Sequence, residues 1–309
     1  AVVFAGGLLR GVEASLMLEA AIALAVAAVP EGLPAVATIA LAVGMQRMAR
    51  RNALVRRLPA VETLGSATCV CTDKTGTLTR GEMAVTHLWV WNRRLDVSGD
   101  GYAPEGRITE QGAAVDASTD PALRGLLVVS ALCNNAQVTR SADGRWQVTG
   151  DPTEGALAAL VGRGGLDVTG LRERHREVKE FPFTSATMLM ATVNAGLTAD
   201  FLPGEGALLC VKGAPAVLAE RCTHLLTAEG VEPLDAARRR RLEEQNERLA
   251  AEGLRVLGAA FRPVDGVPNS EDEALRDLVW LGLIGMVDPP ADGVRETVDA
   301  LTRAGIKTV

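Results

Sequence analysis

A short apolar run that ends in an acidic, hydroxyl-rich loop constrains most strongly how this chain can fold. Residues 69–71 read Cys-Val-Cys, and they are followed by Asp73, Lys74 and a small loop that contains Gly76. An apolar run of this length beside turn residues is typical of a buried strand in a parallel sheet. Open α/β sheets bind ligands at the carboxyl ends of their strands, which is where Asp73 would lie. The pattern therefore predicts an α/β domain with a functional carboxylate at Asp73.

The loop after this strand has the chemistry of a phosphoryl acceptor. Backbone amides in a loop of Gly and Thr can contact phosphate oxygens, and a carboxylate can act as the nucleophile. For an isolated Asp-Lys pair, a solvated turn would be the simpler interpretation. Residues 73–79 read DKTGTLT, however, and they resemble without a mismatch the phosphorylation motif of P-type ion-pumping ATPases of the haloacid dehalogenase superfamily.

This resemblance implies a role for each residue of the loop. Asp73 would accept the phosphoryl group, while Lys74 and Thr77 would hold it. Mg²⁺ would bind to the Asp73 carboxylate and to the Thr75 carbonyl oxygen.

Composition excludes several other classes of protein. A chain of 309 residues is long enough for about two domains of ordinary size. A net charge of −6 and an aromatic content of 3% argue against a nucleic-acid-binding surface, and the sequence contains no GxxxxGK[ST] motif. Cys69 and Cys71 would face the same side of a strand, so we expect them to be reduced core residues in a cytosolic domain.

A long apolar stretch near the start of the chain predicts a membrane helix. Residues 14–45 carry only two charges, Glu19 and Glu31. At 1.5 Å per residue this stretch exceeds the ~30 Å hydrocarbon layer, so we expect a transmembrane helix over residues 13–48. The arginines that follow place its carboxyl end in the cytoplasm. We expect residues 1–12 to be the end of a preceding membrane helix with its loop.

Two prolines interrupt this helix on either side of Glu31. Because Pro30 and Pro34 lack amide hydrogens, carbonyls one turn earlier lose their helical partners. An unwound segment within lipid is tolerated where it is buried in protein or lines a cavity, and a carboxylate at that depth marks a functional site. Free carbonyls and a carboxylate form an all-oxygen site that suits a hard cation such as Ca²⁺. The alternative is a proline kink with a snorkelling or protonated glutamate.

The same segment resembles the fourth membrane helix of type II P-type pumps, and most closely that of the calcium pumps. Residues 26–35 read VAAVPEGLPA. In that family the carbonyls that match Val26, Ala27 and Val29 bind the ion together with the carboxylate that matches Glu31. The resemblance therefore implies a cation site on these four residues. Ca²⁺ is the expected ion, although Mn²⁺ and other hard cations fit the same ligands.

A predicted helix start resembles part of a nucleotide-binding domain in the same family. Asp151 is expected to cap a helix whose first residue is Pro152. Capping alone would explain these residues. The surrounding sequence GDPTEGAL, residues 150–157, also matches a motif in which the acid at the position of Glu154 lies beside the adenine of ATP.

Three further motifs resemble that domain: FPF at 181–183, KGAP at 212–215 and GLR at 253–255. KGAP alone could equally be a surface turn. The resemblance implies that Phe183 stacks on adenine, that Lys212 contacts the nucleotide and that Arg255 reaches its phosphates. Met188 departs from the family pattern, which usually has a lysine at this position.

The order of these motifs predicts a domain inserted into another. A strand is expected at 278–286, and the prolines of Asp288-Pro289-Pro290 prevent its continuation. This segment resembles the DPPR hinge of the family, with Ala291 in place of the arginine. We therefore expect a stalk at 49–66, a Rossmann-like haloacid dehalogenase phosphorylation domain in two parts at 67–83 and 287–309, and an inserted α+β nucleotide-binding domain at 84–286.

These features predict ATP-driven cation transport through an aspartyl-phosphate intermediate. The expected ligands are ATP, Mg²⁺ and the transported cation, and the lipid bilayer is an expected partner. The expected location is a bacterial-type plasma membrane, with the soluble domains in the cytoplasm.

The chain starts without Met and ends at Val309, so we expect a fragment that does not turn over by itself. Its expected partners then include an actuator domain and further membrane helices of the same protein. Two alternatives are a nucleotide-binding module without turnover and a phosphatase of the same superfamily. Such phosphatases usually carry a second Asp at the position of Thr75, which counts against the latter.

Overall fold

The computed structural model describes residues 2–28, 32–196 and 206–309, which form two compact units. The first comprises Ala1–Thr72 and Arg295–Val309, and the second comprises Asp73–Val294. The helices are α1 (Val2–Leu9), α2 (Ala14–Ala27), α3 (Gly32–Ala49), α4 (Leu58–Gly65), α5 (Pro121–Leu132), α6 (Pro152–Arg163), α7 (Val168–Arg174), α8 (Pro215–Glu220), α9 (Ala236–Ala251), α10 (Glu271–Ala274) and α11 (Val294–Arg303).

The strands lie mainly in the second unit. They are β1 (Cys69–Val70), β2 (Ala84–Val90), β3 (Arg93–Ser98), β4 (Arg107–Glu110), β5 (Ala113–Ala114), β6 (Gln137–Arg140), β7 (Trp146–Thr149), β8 (Glu177–Phe181), β9 (Leu189–Ala195), β10 (Ala207–Gly213), β11 (Cys222–Leu226), β12 (Val231–Pro233), β13 (Arg255–Val264), β14 (Leu278–Val287) and β15 (Lys307–Thr308).

The first unit combines apolar helices with one pair of strands. Among the described helices, those of one apolar stretch, Ala14–Ala49, are together long and apolar enough to cross a membrane by their length and composition. They are α2 and α3, whose described side chains are not buried. Pro34 lies in the first turn of α3, where a missing amide hydrogen costs no helical hydrogen bond. Of the predicted break over the PEGLP residues 30–34, the first two residues lie outside the described residues. The predicted break is wrong for residues 32–34, which are helical because they form the first turn of α3.

The strand that precedes Asp73 is short and has one neighbour. β1 pairs in parallel with β15, in a register that places Cys69 opposite Lys307 and Val70 opposite Thr308. The prediction that Cys69 and Cys71 are core residues is wrong here, because both thiols are exposed. Among the described strands β15 alone pairs with β1, and neither strand contributes a buried side chain that could cover the thiols.

The second unit is a mixed α/β structure built on a mainly antiparallel sheet. In the part of the chain that the structure describes, this sheet has eleven strands, and its main path runs β5-β4-β3-β2-β14-β13-β10-β9-β8. β11 joins the side of β14 in parallel and also pairs with β12. A separate hairpin is formed by β6 and β7. The combination of helices with antiparallel strands agrees with the α+β structure predicted for this region.

Both faces of the sheet are covered, and β14 shows why. Its sequence, LVWLGLIGMV, is apolar throughout, and every residue except the last is buried. Leu281 packs on one side, in a cluster that includes Leu126 of α5 and Leu157 of α6. Trp280 packs in a second cluster that contains residues of α8 and α9. A continuous apolar run is what a strand buried on two faces requires, since alternate side chains enter different cores.

Candidate functional site

One cavity in the second unit is lined by all four residues that were predicted to bind a nucleotide, namely Glu154, Phe183, Lys212 and Arg255. Its volume is about 520 Å³, which lies within the range of small-molecule sites. The other residues that line it are Asn135, Asp151, Thr153, Glu180, Met188, Met190, Gly213, Ala214, Val256 and Leu257.

Secondary structure brings these side chains together from distant parts of the sequence. Glu154 lies in the first turn of α6, where Asp151 Oδ1 accepts hydrogen bonds from the amides of Thr153 (2.8 Å) and Glu154 (3.3 Å). The predicted helix cap is thereby confirmed. Lys212 lies near the end of β10 and Arg255 begins the neighbouring strand β13.

An ion pair forms the most buried part of the site. Lys212 Nζ lies 2.6 Å from Glu154 Oε1, and it also donates a hydrogen bond to the carbonyl of Cys133. The Lys212 and Glu154 side chains are 9% and 12% exposed. A buried cation is tolerated when its donors find acceptors, so these two contacts fix the ammonium in one place.

The other oxygen of the Glu154 carboxylate contacts the connection that follows α5. Glu154 Oε2 accepts a hydrogen bond of 2.9 Å from the amide of Asn135, and Asn135 Nδ2 donates to Glu180 Oε1 at 3.1 Å. Both carboxylate oxygens therefore have partners within the protein. The Glu154 side chain is held in position by protein contacts alone.

Asn134 and Arg172 support this connection, and neither was predicted from the sequence. Asn134 Nδ2 donates to the carbonyls of Ser130 and Glu154, while its Oδ1 accepts from the amide of Ala136. The last contact is an Asx turn, for which the Asn134-Asn135 doublet is a recognisable sequence signal. Helix α5 ends at Leu132, just before this turn.

Arg172 has no such local signal. From α7 its guanidinium donates to the carbonyls of Ala131, Asn134 and Ala136, at 3.0, 2.6 and 3.0 Å. Burial lowers the pKa of the Arg172 guanidinium from its ordinary value. The group satisfies three carbonyls at the carboxyl end of α5, where a positive charge is favourable.

The thiol of Cys133, whose carbonyl contacts Lys212, is unreactive. Cys133 is fully buried, and burial raises the pKa of its thiol to about 11 although Lys212 opposes the shift. The thiolate is the reactive form of cysteine, so Cys133 is a packing residue.

The two aromatic residues of the FPF motif have different surroundings. Phe181 belongs to β8, and the ammonium of Lys179 lies 4.7 Å from the centroid of its ring. Phe183 follows the strand, lines the cavity and is 60% exposed. The exposed ring at the cavity is therefore that of Phe183.

A close backbone approach shapes the wall near Lys212. A Cβ atom at Gly213 would lie 2.2 Å from the carbonyl oxygen of Met188. The amide of Ala214 donates to the same oxygen at 3.0 Å. Glycine is therefore required at position 213 for the KGAP segment to reach the cavity.

The loop at Asp73 is compact and exposed. Asp73 Oδ1 accepts a hydrogen bond of 3.1 Å from the amide of Thr75. Gly76 has a φ of +71°, which reverses the chain, and the amide of Thr79 donates to the carbonyl of Lys74 at 3.1 Å. Asp73, Lys74, Thr75 and Thr77 are all exposed. The described residues contain no group of three His, Cys, Asp or Glu side chains placed to hold a metal ion.

Asp288 closes this loop, a role that was not predicted from the sequence. Its carboxylate accepts from the Thr79 hydroxyl at 2.6 Å and from the amide of Gly81 at 3.0 Å. The amide of Arg80 also donates to the carbonyl of Pro289 at 2.9 Å. Residues 78–81 and 288–291 are thus paired beside the phosphate-acceptor motif.

The predicted ligands of a transported cation are described only in part. Val26 and Ala27 are exposed in the last turn of α2. Val29 and Glu31 lie outside the described residues.

Comparisons with known proteins place these observations in a family. Residues 122–293 match the family model described as the P-type ATPase cytoplasmic domain N. The calcium-transporting ATPase of Bacillus subtilis is 38% identical over 308 residues, which cover 99% of this chain and 34% of that protein.

Two other relatives give a similar coverage. The cation-transporting ATPase pma1 of Synechocystis is 41% identical over 311 residues, covering 98% of this chain and 33% of that protein. The human calcium-transporting ATPase type 2C member 1 is 36% identical over 301 residues, covering 97% and 31%. The chain therefore spans about a third of the length of these relatives.

Proposed function

This chain belongs to the P-type ATPases, and from that premise we propose that it supplies the nucleotide-binding and phosphate-accepting parts of an ATP-driven cation pump. One observation carries the proposal: four residues from α6, β10, β13 and the segment after β8 line one cavity of suitable size. Their sequence motifs are separated by up to 101 positions, and no local feature of the chain obliges them to meet.

ATP would bind with its base inside this cavity. Phe183 offers an exposed ring on which adenine can stack, and Glu154 lines the same cavity with both carboxylate oxygens held by hydrogen bonds. Lys212 contacts the nucleotide from the buried end, and Arg255 reaches toward the phosphates from the start of β13. Fixed donors and acceptors position the nucleotide without a reorganisation cost at the moment of binding.

Asp73 would then accept the γ-phosphoryl group. A carboxylate oxygen forms a bond to phosphorus as the bond to the bridging oxygen breaks, so that ADP leaves and an aspartyl phosphate remains. Lys74 and Thr77 would hold the phosphoryl oxygens. The exposed loop leaves the carboxylate open to such an approach.

Mg²⁺ is the expected metal for this step. The Asp73 carboxylate and the Thr75 carbonyl are oxygen donors, which fits a hard cation, and these two residues would hold the ion. When bound, Mg²⁺ offsets negative charge on the phosphate oxygens.

Residues 67–83 and 287–309 would form one Rossmann-like phosphorylation domain of the haloacid dehalogenase type. The parallel pairing of β1 with β15 supports this, because strands 238 residues apart in the sequence share one sheet. Residues 84–286 would then be inserted as the nucleotide-binding domain. Residues 1–12, 13–48 and 49–66 would form the membrane-associated start and the stalk.

Calcium is the proposed cargo. Two of the relatives above are named calcium-transporting ATPases. The ligands would be the carbonyl oxygens of Val26, Ala27 and Val29 and the carboxylate of Glu31, all in a membrane helix. The soluble domains of the protein would lie in the cytoplasm. The actuator domain and remaining membrane helices would come from the same protein.

A chimaera tests the proposal. This chain would replace the matching third of the Bacillus subtilis relative, and membranes containing the chimaera would be incubated with γ-labelled ATP and Ca²⁺. We expect labelling that is stable to acid, sensitive to hydroxylamine and abolished by Asp73→Asn. Labelling that survives this substitution would contradict the assignment of Asp73.

A further inference from the structure

Met188 occupies a fixed place on the wall of the nucleotide cavity. Its amide donates to the carbonyl of Thr184 at 2.8 Å, and its own carbonyl accepts from the amide of Ala214 at 3.0 Å. These bonds hold the residue at a φ of +52°, a conformation that is uncommon for residues other than glycine. Its side chain lines the cavity and is 41% exposed.

The charges on the cavity wall do not favour a polyphosphate. Among the described residues that line it, the carboxylates are those of Asp151, Glu154 and Glu180, and the cations are Lys212 and Arg255. Lys212 is already engaged by the Glu154 carboxylate at 2.6 Å. Among the described residues Arg255 is thus the lining cation that forms no ion pair with a carboxylate, and the wall has one more acid than base.

The apolar part of the wall suits a flat ring. Phe183 and Met188 are the two strongly exposed apolar side chains among the lining residues, at 60% and 41%. A phenyl ring and a polarizable thioether both make favourable contacts with an aromatic base.

We propose that Met188 makes the cavity selective for the base of a nucleotide and nearly indifferent to the number of its phosphates. This rests on the proposed nucleotide site and adds a specificity-determining residue to it. A lysine at position 188 would give the cavity wall equal numbers of acidic and basic side chains. The added positive charge would strengthen the binding of a nucleoside triphosphate more than that of a nucleoside.

Calorimetric titration of the 309-residue chain with adenosine and with ATP, both without Mg²⁺, tests this inference. For the unmodified chain we expect the two dissociation constants to agree within about threefold. Met188→Lys should strengthen ATP binding about tenfold, since a hydrogen bond to a charged group is worth roughly that factor, and should leave adenosine unchanged. Met188→Leu, the matched neutral control, should leave the ratio of the two constants unchanged.

Met188→Glu tests the opposite change in charge, and it should weaken the binding of ATP relative to that of adenosine. If neither ligand binds the unmodified chain, the proposed nucleotide site fails. If both bind but ATP is already more than tenfold tighter, or if the lysine and glutamate variants leave the ratio unmoved, the inference about Met188 fails while the nucleotide site stands.

Discussion

Lys212 and Glu154 are 58 positions apart in the sequence, yet their charged atoms lie 2.6 Å apart and both side chains are almost buried. Such a pair links β10 to the first turn of α6, so it joins the sheet to the helix that carries the acid of the cavity. Neither residue can be changed without consequence for the other, because an unpaired charge at this depth is unfavourable.

We expect Glu154→Ala to lower the free energy of unfolding by about 3 kcal/mol, since it leaves the Lys212 ammonium buried without its carboxylate. Adding Lys212→Met removes the unpaired charge, so the double variant should be more stable than Glu154→Ala. Urea unfolding in detergent measures both. Glu244→Ala, an exposed residue of α9, is the control and should change stability by less than about 0.5 kcal/mol. A double variant that is less stable than either single variant would contradict this account.

Gly213→Ala should destabilise the chain by about 2 kcal/mol, because the added Cβ would overlap the carbonyl oxygen of Met188 and force the backbone apart. It should also weaken adenosine binding, since Met188 and Lys212 would both move. Thermal unfolding and calorimetry measure the two effects. Gly266→Ala is the matched control, because nothing lies within 4 Å of its Cβ position. Equal stability of the two variants would show that the close approach is not required.

Phe183→Ala should weaken adenosine binding by about fivefold or more, the loss expected when a base loses an aromatic stacking partner. Stability should change little, because the ring is 60% exposed. Val178→Ala, an exposed residue of the preceding strand, is the control for surface truncation. Unchanged adenosine affinity for Phe183→Ala would exclude stacking on this ring.

The free energy of unfolding should decrease as the pH is lowered on the acidic side of neutral, because the fold lowers the pKa of His87. Burial, followed by the charge of Arg94, lowers the pKa of this histidine, while Asp96 and Glu252 oppose the shift. The unfolded chain, with a pKa near 6.5, therefore binds a proton before the folded chain does. The stabilisation is complete above about pH 6.5 and is lost as the pH falls through the lowered folded value.

Unfolding measured from pH 7.5 to 5 should show this loss, and His87→Gln should reduce the slope in that range. His224→Gln, at an exposed position, is the matched control and should leave the slope as it is. An unchanged slope for His87→Gln would assign the acid sensitivity to other groups.

Local signals in the sequence predicted local structure well. The cap at Asp151 depends on residues within one turn, and the strand expected at 278–286 depends on one apolar run. The structure has both. The meeting of four motif residues in one cavity followed from the resemblance to a family, since no spacing rule brings Glu154 to Lys212.

The missed features depend on long-range contacts. The end of α5 is set by Asn134 and Arg172, whose partners lie up to 41 residues away. Asp288 was recognised as part of a hinge, but its bonds to Thr79 and Gly81 cross more than 200 residues. The exposure of Cys69 depends on how many strands flank β1, and this number cannot be predicted from the sequence of β1 alone.

The pairing of residues 78–81 with 288–291 has a topological consequence. Arg80 donates its amide to Pro289 and Ala291 donates to Leu78, both at 2.9 Å, so the chain leaves this region at the point where it entered. Arg80 reinforces the junction through Asp292, and it also contacts Asp100 in the intervening segment. Since its two ends meet, the intervening segment forms a closed loop of chain, and domains with adjacent termini tolerate circular permutation and transfer into another host.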